Sequence, residues 1–154
     1  MRLEPLLNPE LVVVMDNPGD KDAVLRTLAQ TARKVLPHIS EEDLITELAD
    51  RERRHSTSTP DGVAFPHAML SEIENTVVIP VLLRPGVNFG SDSHPPSDLV
   101  FGMFGCAERP FSHVRLLARL ARISRGPGAL DRMRDADSPE TLYKVLVEED
   151  RRHG

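Results

Sequence analysis

Two stretches of this chain, residues 76–83 and 99–104, are almost continuously apolar. A strand with one face in water alternates apolar and polar side chains, so strands without that alternation have both faces covered. Something must therefore pack on each side of a sheet that contains them. The segments available for this are amphipathic. Over residues 21–36, Val24, Leu25, Leu28, Ala32, Val35 and Leu36 recur at helical spacing until Pro37 stops the pattern. Ser40 has the form of an N-cap with Asp43 three positions on, and it opens a second helix through Leu44, Ile45, Leu48 and Ala49 into Arg51-Glu52-Arg53-Arg54. A third helix starts around Phe111 or Ser112. It is predicted to bury Val114, Leu117, Leu120, Ala121 and Ile123 and to turn Arg115, Arg119 and Arg122 elsewhere.

Beyond Gly126-Pro127-Gly128 the pattern predicts a short helix over 129–134. A last helix capped by Ser138, with Pro139 at its first position, should bury Leu142, Val145 and Leu146. Residues 11–15 and 63–65 add two further strand signals, and Asn17-Pro18-Gly19-Asp20 marks a turn after the first. Pro80, inside the 76–83 run, implies a bulge or an unpaired edge at that point, and 85–96 reads as a loop. Strands alternating with helices give an α/β fold, a three-layer sandwich with helices on both faces of a mixed sheet. With no internal repeat or long linker, residues 1–154 read as a single domain.

Charge and cysteine content narrow the function classes. A formal charge of −5 and a pI near 5.7 argue against nucleic acid as the main partner, since phosphate-backbone binding needs a basic face. Cys106 is the one cysteine, which precludes an intramolecular disulfide and any paired-cysteine zinc site. No segment approaches the roughly 18 apolar residues of a membrane span, and the first residues lack a signal-peptide core, so the expectation is a cytoplasmic protein with no membrane insertion. No phosphate-binding GxxxxGK[ST] loop, GxGxxG fingerprint, HExxH helix or GxSxG elbow occurs.

What remains is histidine and arginine. In Gly62-Val63-Ala64-Phe65-Pro66-His67 a short apolar strand meets a proline that cannot donate to a ladder, so the strand is expected to stop at Pro66 and present His67 just past its end. His113 falls in the first turn of its helix, where free N–H groups and the helix dipole favour an anion. Arg51, Arg53 and Arg54 close the second helix. An imidazole with one nitrogen held as N–H can attack phosphorus with the other, and a second imidazole and a guanidinium can stabilise the phosphoryl oxygens. A metal site built from His67, His113 and His55 or His94 is the competing reading, though no carboxylate or cysteine stands at ligand spacing beside them.

These residues resemble the enzyme IIA domains of the mannitol/fructose type in the phosphoenolpyruvate-dependent sugar phosphotransferase system, including the free-standing nitrogen-regulatory IIA proteins. The resemblance lies in Arg51-Glu52-Arg53, Ser56-Thr57, the 62–67 run, and His113 opening a helix with Leu116, Leu117, Ala118 and Leu120. It implies a sheet of about five strands. It implies that His67 accepts the phosphoryl group, with His113 and Arg51 stabilising it, and that no cofactor or metal is needed. It further implies the phosphocarrier protein HPr as donor, and a IIB domain or a regulatory target protein downstream. The chain departs from the family at Phe65, where Ile or Val is commoner, at Ala68, where Gly is frequent, and in the 90–97 loop with His94-Pro95-Pro96.

Overall fold

The computed structural model describes residues 1–90 and 92–153; Ser91, inside the predicted 85–96 loop, and Gly154, at the end of the predicted 1–154 unit, lie outside the described residues. The two apolar runs are the middle of a five-stranded mixed sheet. β4 (Val77–Val87) and β5 (Ser97–Cys106) pair antiparallel, and β1 (Val13–Asp16) lies parallel on the outer side of β4. β2 (Val63–Ala64) and β3 (His67–Leu70) share the lane beyond β5, both parallel to it.

Side chains of β4 and β5 divide between two cores. Ile79, Val81, Leu83, Val100 and Phe104 pack with α1 (Lys21–Ala32) and α2 (Glu41–Arg54). Val78, Leu82, Leu99, Phe101 and Met103 pack with α3 (Pro110–Ser124), α4 (Ala129–Arg134) and α5 (Pro139–Arg152). The three-layer arrangement follows directly from strands that are apolar on both faces. Gly102 lets α1 sit close: a Cβ there would lie 2.6 Å from Leu28 Cδ2. Ser40 caps α2 by accepting from the Asp43 amide, and Ser138 caps α5 by accepting from the Thr141 amide, as the sequence pattern requires.

Several elements differ in extent from the sequence reading. α1 ends at Ala32, not Leu36, because the amides of Val35 and Leu36 both turn back to the Ala32 carbonyl; Leu36 reaches the core and Val35 faces water. Pro80 makes no bulge. It sits in register opposite Phe101, one residue before the β1 ladder begins at Val81, so its missing N–H costs no bond on that side. The irregularity falls between Leu82 and Val87, and β4 runs on through Pro85, part of the predicted loop. β5 also extends past the 99–104 run, from Ser97 through Gly105 to Cys106.

The largest correction concerns α3. Its buried face carries His113, Leu116, Arg119, Leu120 and Ile123, while Val114 is 59% exposed and Leu117 and Ala121 are half-buried. Arg119, which the pattern places off the buried face, lies on it. It is drawn inward by Asp150, fully buried on α5, whose carboxylate accepts from Arg119 Nε at 2.9 Å and from the Leu3 and Glu4 amides at 2.8 Å each. Burial alone would raise the Asp150 carboxyl, but these four-sided contacts, with Arg2 Nε at 3.4 Å, outweigh it and hold the group below the usual carboxylate range. The cluster clasps the N-terminal segment to α3 and α5.

Candidate active site

The proline at 66 interrupts the edge lane without ending it. Val63 pairs with Leu99 and Ala64 with Val100, and beyond the break His67 pairs with Met103 at the same offset. Pro66 donates nothing, yet its carbonyl accepts from the Met103 amide at 3.0 Å, so no residue is gained or lost across it. His67 is therefore the first residue of β3 and not a residue past the end of a strand, which corrects the sequence reading. Proline is tolerated here because this lane is an edge of the sheet. The Ser/Thr segment covers the outer side of β2: Ser58 bridges Ala64, and the Thr57 carbonyl accepts from the Phe65 amide at 3.2 Å.

The interruption leaves the Phe65 carbonyl free to turn back on its neighbour. It lies 3.0 Å from His67 Nδ1, while Arg51 Nε lies 3.1 Å from His67 Nε2. A carbonyl can only accept and a guanidinium can only donate. The ring is thus neutral, protonated at Nδ1, with its lone pair on Nε2. Burial is the main influence lowering the His67 pKa; the Phe65 carbonyl opposes it, Arg51 reinforces it, and Glu52 pulls it back upward.

His113, in the first turn of α3, faces His67 with ring centroids 4.5 Å apart at 40°. It is 9% exposed, and its Nδ1 is buried with no hydrogen-bond partner among the described residues. Burying an unpaired lone pair costs less than burying an unpaired N–H, which places the proton on Nε2. Burial first, then the neighbouring His67 and Arg51, lower its pKa to about 4. Two neutral imidazoles therefore stand together, one offering a lone pair and the other an N–H.

Of the three arginines that end α2, Arg51 alone reaches the pair. Its Nη1 also donates to the His55 carbonyl at 2.7 Å, while Arg53 pairs with Asp50 and Arg54 is exposed. The other candidate metal ligands do not join: His55 is exposed, and His94 Nδ1 lies 3.0 Å from Ser58 Oγ. Among the described residues no three His, Cys, Asp or Glu side chains come together as a metal set.

Sequence reading missed Glu52. It is 4% exposed, bonded through its carboxylate to the hydroxyl and amide of Thr57 and to Lys21 Nζ at 3.2 Å. A signal existed: an acid at a helix C-terminus, among arginines, opposes the dipole and needs a reason to be there. Near His113 in the first turn of α3, Phe111 is 82% exposed and Val114 59%.

Residues 5–149 match the family model described as phosphoenolpyruvate-dependent sugar phosphotransferase system, EIIA 2. A nitrogen regulatory protein of Pseudomonas aeruginosa is 29% identical over 148 residues, 96% of this chain and 96% of that one. Nitrogen regulatory protein IIA-Ntr from Neisseria meningitidis superposes with a TM-score of 0.84 at 21% identity, over 94% of this chain and 98% of that one. The complex of enzyme IIA-Mtl and phosphorylated enzyme IIB-Mtl from Escherichia coli contains a chain similar at TM-score 0.77 and 18% identity, over 92% of this chain and 97% of that one. The last two likenesses carry the fold. No helix among the described residues is long and apolar enough to cross a membrane.

Proposed function

The chain belongs to the EIIA type-2 family of the phosphoenolpyruvate-dependent sugar phosphotransferase system, and from that premise we propose that it is a phosphoryl carrier that takes phosphate from phospho-HPr on His67 Nε2. The observation that carries the reading is the fixed tautomer. With Nδ1–H held by the Phe65 carbonyl, Nε2 is the only ring nitrogen with a free pair. In the transfer the donor's N–P bond breaks as the Nε2–P bond forms. The donor ring leaves neutral with its own proton on its other nitrogen, and the positive charge gained by His67 is shared through Nδ1–H with the Phe65 carbonyl.

Arg51 Nε–H, which caps Nε2 before the reaction, moves its hydrogen bond to a phosphoryl oxygen afterwards, and His113 donates from Nε2–H to another. Both contacts strengthen as charge spreads over the oxygens in the transition state. The direct test is the phosphorylated protein labelled with nitrogen-15. Coupling of phosphorus to Nε2 of His67 is expected, and attachment at Nδ1 would contradict the scheme.

We further assign the chain a regulatory role. The 29% identical relative that spans nearly the whole length is named a nitrogen regulatory protein, and the IIA-Ntr structure superposes more closely than IIA-Mtl does. Phosphorylation adds roughly −1.5 to −2 charges at neutral pH beside the exposed Phe111 and Val114, which alters how an apolar partner face can dock there. The transport reading, delivery to a IIB cysteine, draws on the likeness to IIA-Mtl. Mixing the phosphorylated protein with separate fructose- and mannitol-type IIB domains separates the two. Retention of the label supports regulation, and rapid transfer supports transport.

A further inference from the structure

We propose that Glu52 is a positioning residue for His67: it holds the Thr57 backbone against Phe65, and so fixes the carbonyl that sets which imidazole nitrogen reacts. This rests on the assignment of His67 as phosphoryl acceptor. The connection can be followed bond by bond. The Glu52 carboxylate accepts from both the hydroxyl and the amide of Thr57, the latter at 3.3 Å. The Thr57 carbonyl accepts from the Phe65 amide at 3.2 Å, and the Phe65 carbonyl accepts from His67 Nδ1 at 3.0 Å. Every link is a hydrogen bond or a single residue of backbone, so a shift of the Thr57 segment has no slack to absorb it before the imidazole.

The two consecutive residues Arg51 and Glu52 thus address opposite nitrogens of one ring, the first directly at Nε2 and the second through two peptides at Nδ1. A staple joining a helix end to a loop could be made by a neutral side chain. A carboxylate with its side chain only 1% exposed is a costly choice for that task, and it stands at the helix end where the dipole disfavours it. Its charge is met by Lys21 Nζ at 3.2 Å, from the start of α1. That ammonium is itself anchored by the Phe89 carbonyl at 3.1 Å and lies over the Phe89 ring. The site therefore keeps a buried negative charge behind His67, where the ring becomes positive once phosphorus is bound. Its influence on the unphosphorylated ring is in the matching direction, favouring the protonated form.

The test uses the full chain with Glu52→Gln, which keeps size and one acceptor but removes the charge, and with Thr57→Val, which removes the hydroxyl link. Nitrogen-15 spectra of the His67 ring in the unphosphorylated protein should show a single tautomer, proton on Nδ1, in the wild type. Both variants should show a mixture of tautomers, with the Arg51 hydrogen bond to Nε2 given up in the fraction protonated there, and Glu52→Gln alone should also lower the titration midpoint of His67. Phosphoryl acceptance should slow roughly tenfold with little change in the half-saturating HPr concentration, in the range that misplacing a reacting group costs. Glu52→Asp, which keeps the charge but draws the carboxylate back from Thr57, should restore the titration midpoint of His67 and only part of the rate and of the single tautomer.

A single unchanged tautomer with an unchanged midpoint in both folded variants would overturn the proposal. If Glu52→Gln does not fold, Thr57→Val alone decides through its tautomer spectrum. Because the spectra need no phosphate, they judge Glu52 even if the wild type takes no label. Absence of label in the wild type would instead overturn the assignment of His67.

Discussion

One helix, α3, takes part in two buried polar clusters, and they are built in opposite ways. Six residues beyond His113, Arg119 closes the clasp around Asp150, where each carboxylate oxygen has donors on it from amides and guanidinium. At the histidine pair the bonding is left open: His113 Nδ1 has no partner among the described residues, and the reactive pair of His67 is covered only by a donor from a long arginine side chain. A buried cluster with its hydrogen bonds complete fixes architecture, because removing any member strands the others. A cluster with a capacity left over can take in a new anion. The difference separates two sets of buried charged and polar residues that look alike in sequence.

Breaking the closed cluster should have the largest effect on stability. Asp150→Ala leaves Arg119 buried without its partner and frees the N-terminal segment, so urea unfolding should show a loss of about 3–5 kcal/mol. Phosphorylation at His67 should persist in whatever fraction remains folded. A loss below 1 kcal/mol would mean the clasp is an ornament of the fold.

Acid should undo the two clusters in different pH windows. His113 has a pKa of about 4 when folded and the ordinary 6.5 when unfolded. The unfolded chain therefore takes up the proton first, so the stability this histidine contributes is complete above pH 6.5 and falls as pH drops toward 4. The loss is of order 3 kcal/mol, and His67, also lowered, adds in the same direction. Asp150 is also held below its ordinary value, so its stability is present above the ordinary carboxylate pKa and is lost only at lower pH, as pH falls through the folded value. Unfolding followed from pH 7 to pH 4 should show the first loss in the wild type and a flatter slope in His113→Ala. The same slope in both would show that His113 is not held neutral.

Smaller effects belong to the open cluster's rate. His113→Ala should still accept phosphate but 10- to 100-fold more slowly, the scale of losing one charge-stabilising donor, equal to about 1.4–2.7 kcal/mol. Arg51→Lys keeps the charge but loses the planar fork, and acceptance should slow by roughly tenfold, about 1.4 kcal/mol. Stopped-flow transfer from phospho-HPr measures both. Equal rates in wild type and either variant would remove that residue from the active site.

The sandwich was readable because unbroken apolar runs and capped amphipathic helices are local signals, and Ser40 and Ser138 cap where their patterns place them. The phase of α3 was not readable, since what turns Arg119 inward is Asp150, thirty-one residues away in the chain. At the site, strand-end and helix-start positions point to His67 and His113, the family resemblance singles out Arg51 among the three arginines of α2, and the structure brings the three together. Pro66 does break the strand, as its chemistry predicts, but not the edge lane: its carbonyl still accepts from Met103 and pairing resumes at His67, which a local signal does not reveal. Glu52 stayed hidden because its partners, Lys21 and Thr57, come from separate segments.

The central claim is that His67 takes the phosphoryl group. Incubation with phosphoenolpyruvate, enzyme I and HPr, read by intact mass and acid lability, should give one acid-labile phosphoryl group on the wild type, the same on His113→Ala after longer reaction, and none on His67→Ala. An unlabelled wild type, or a labelled His67→Ala protein, would contradict it.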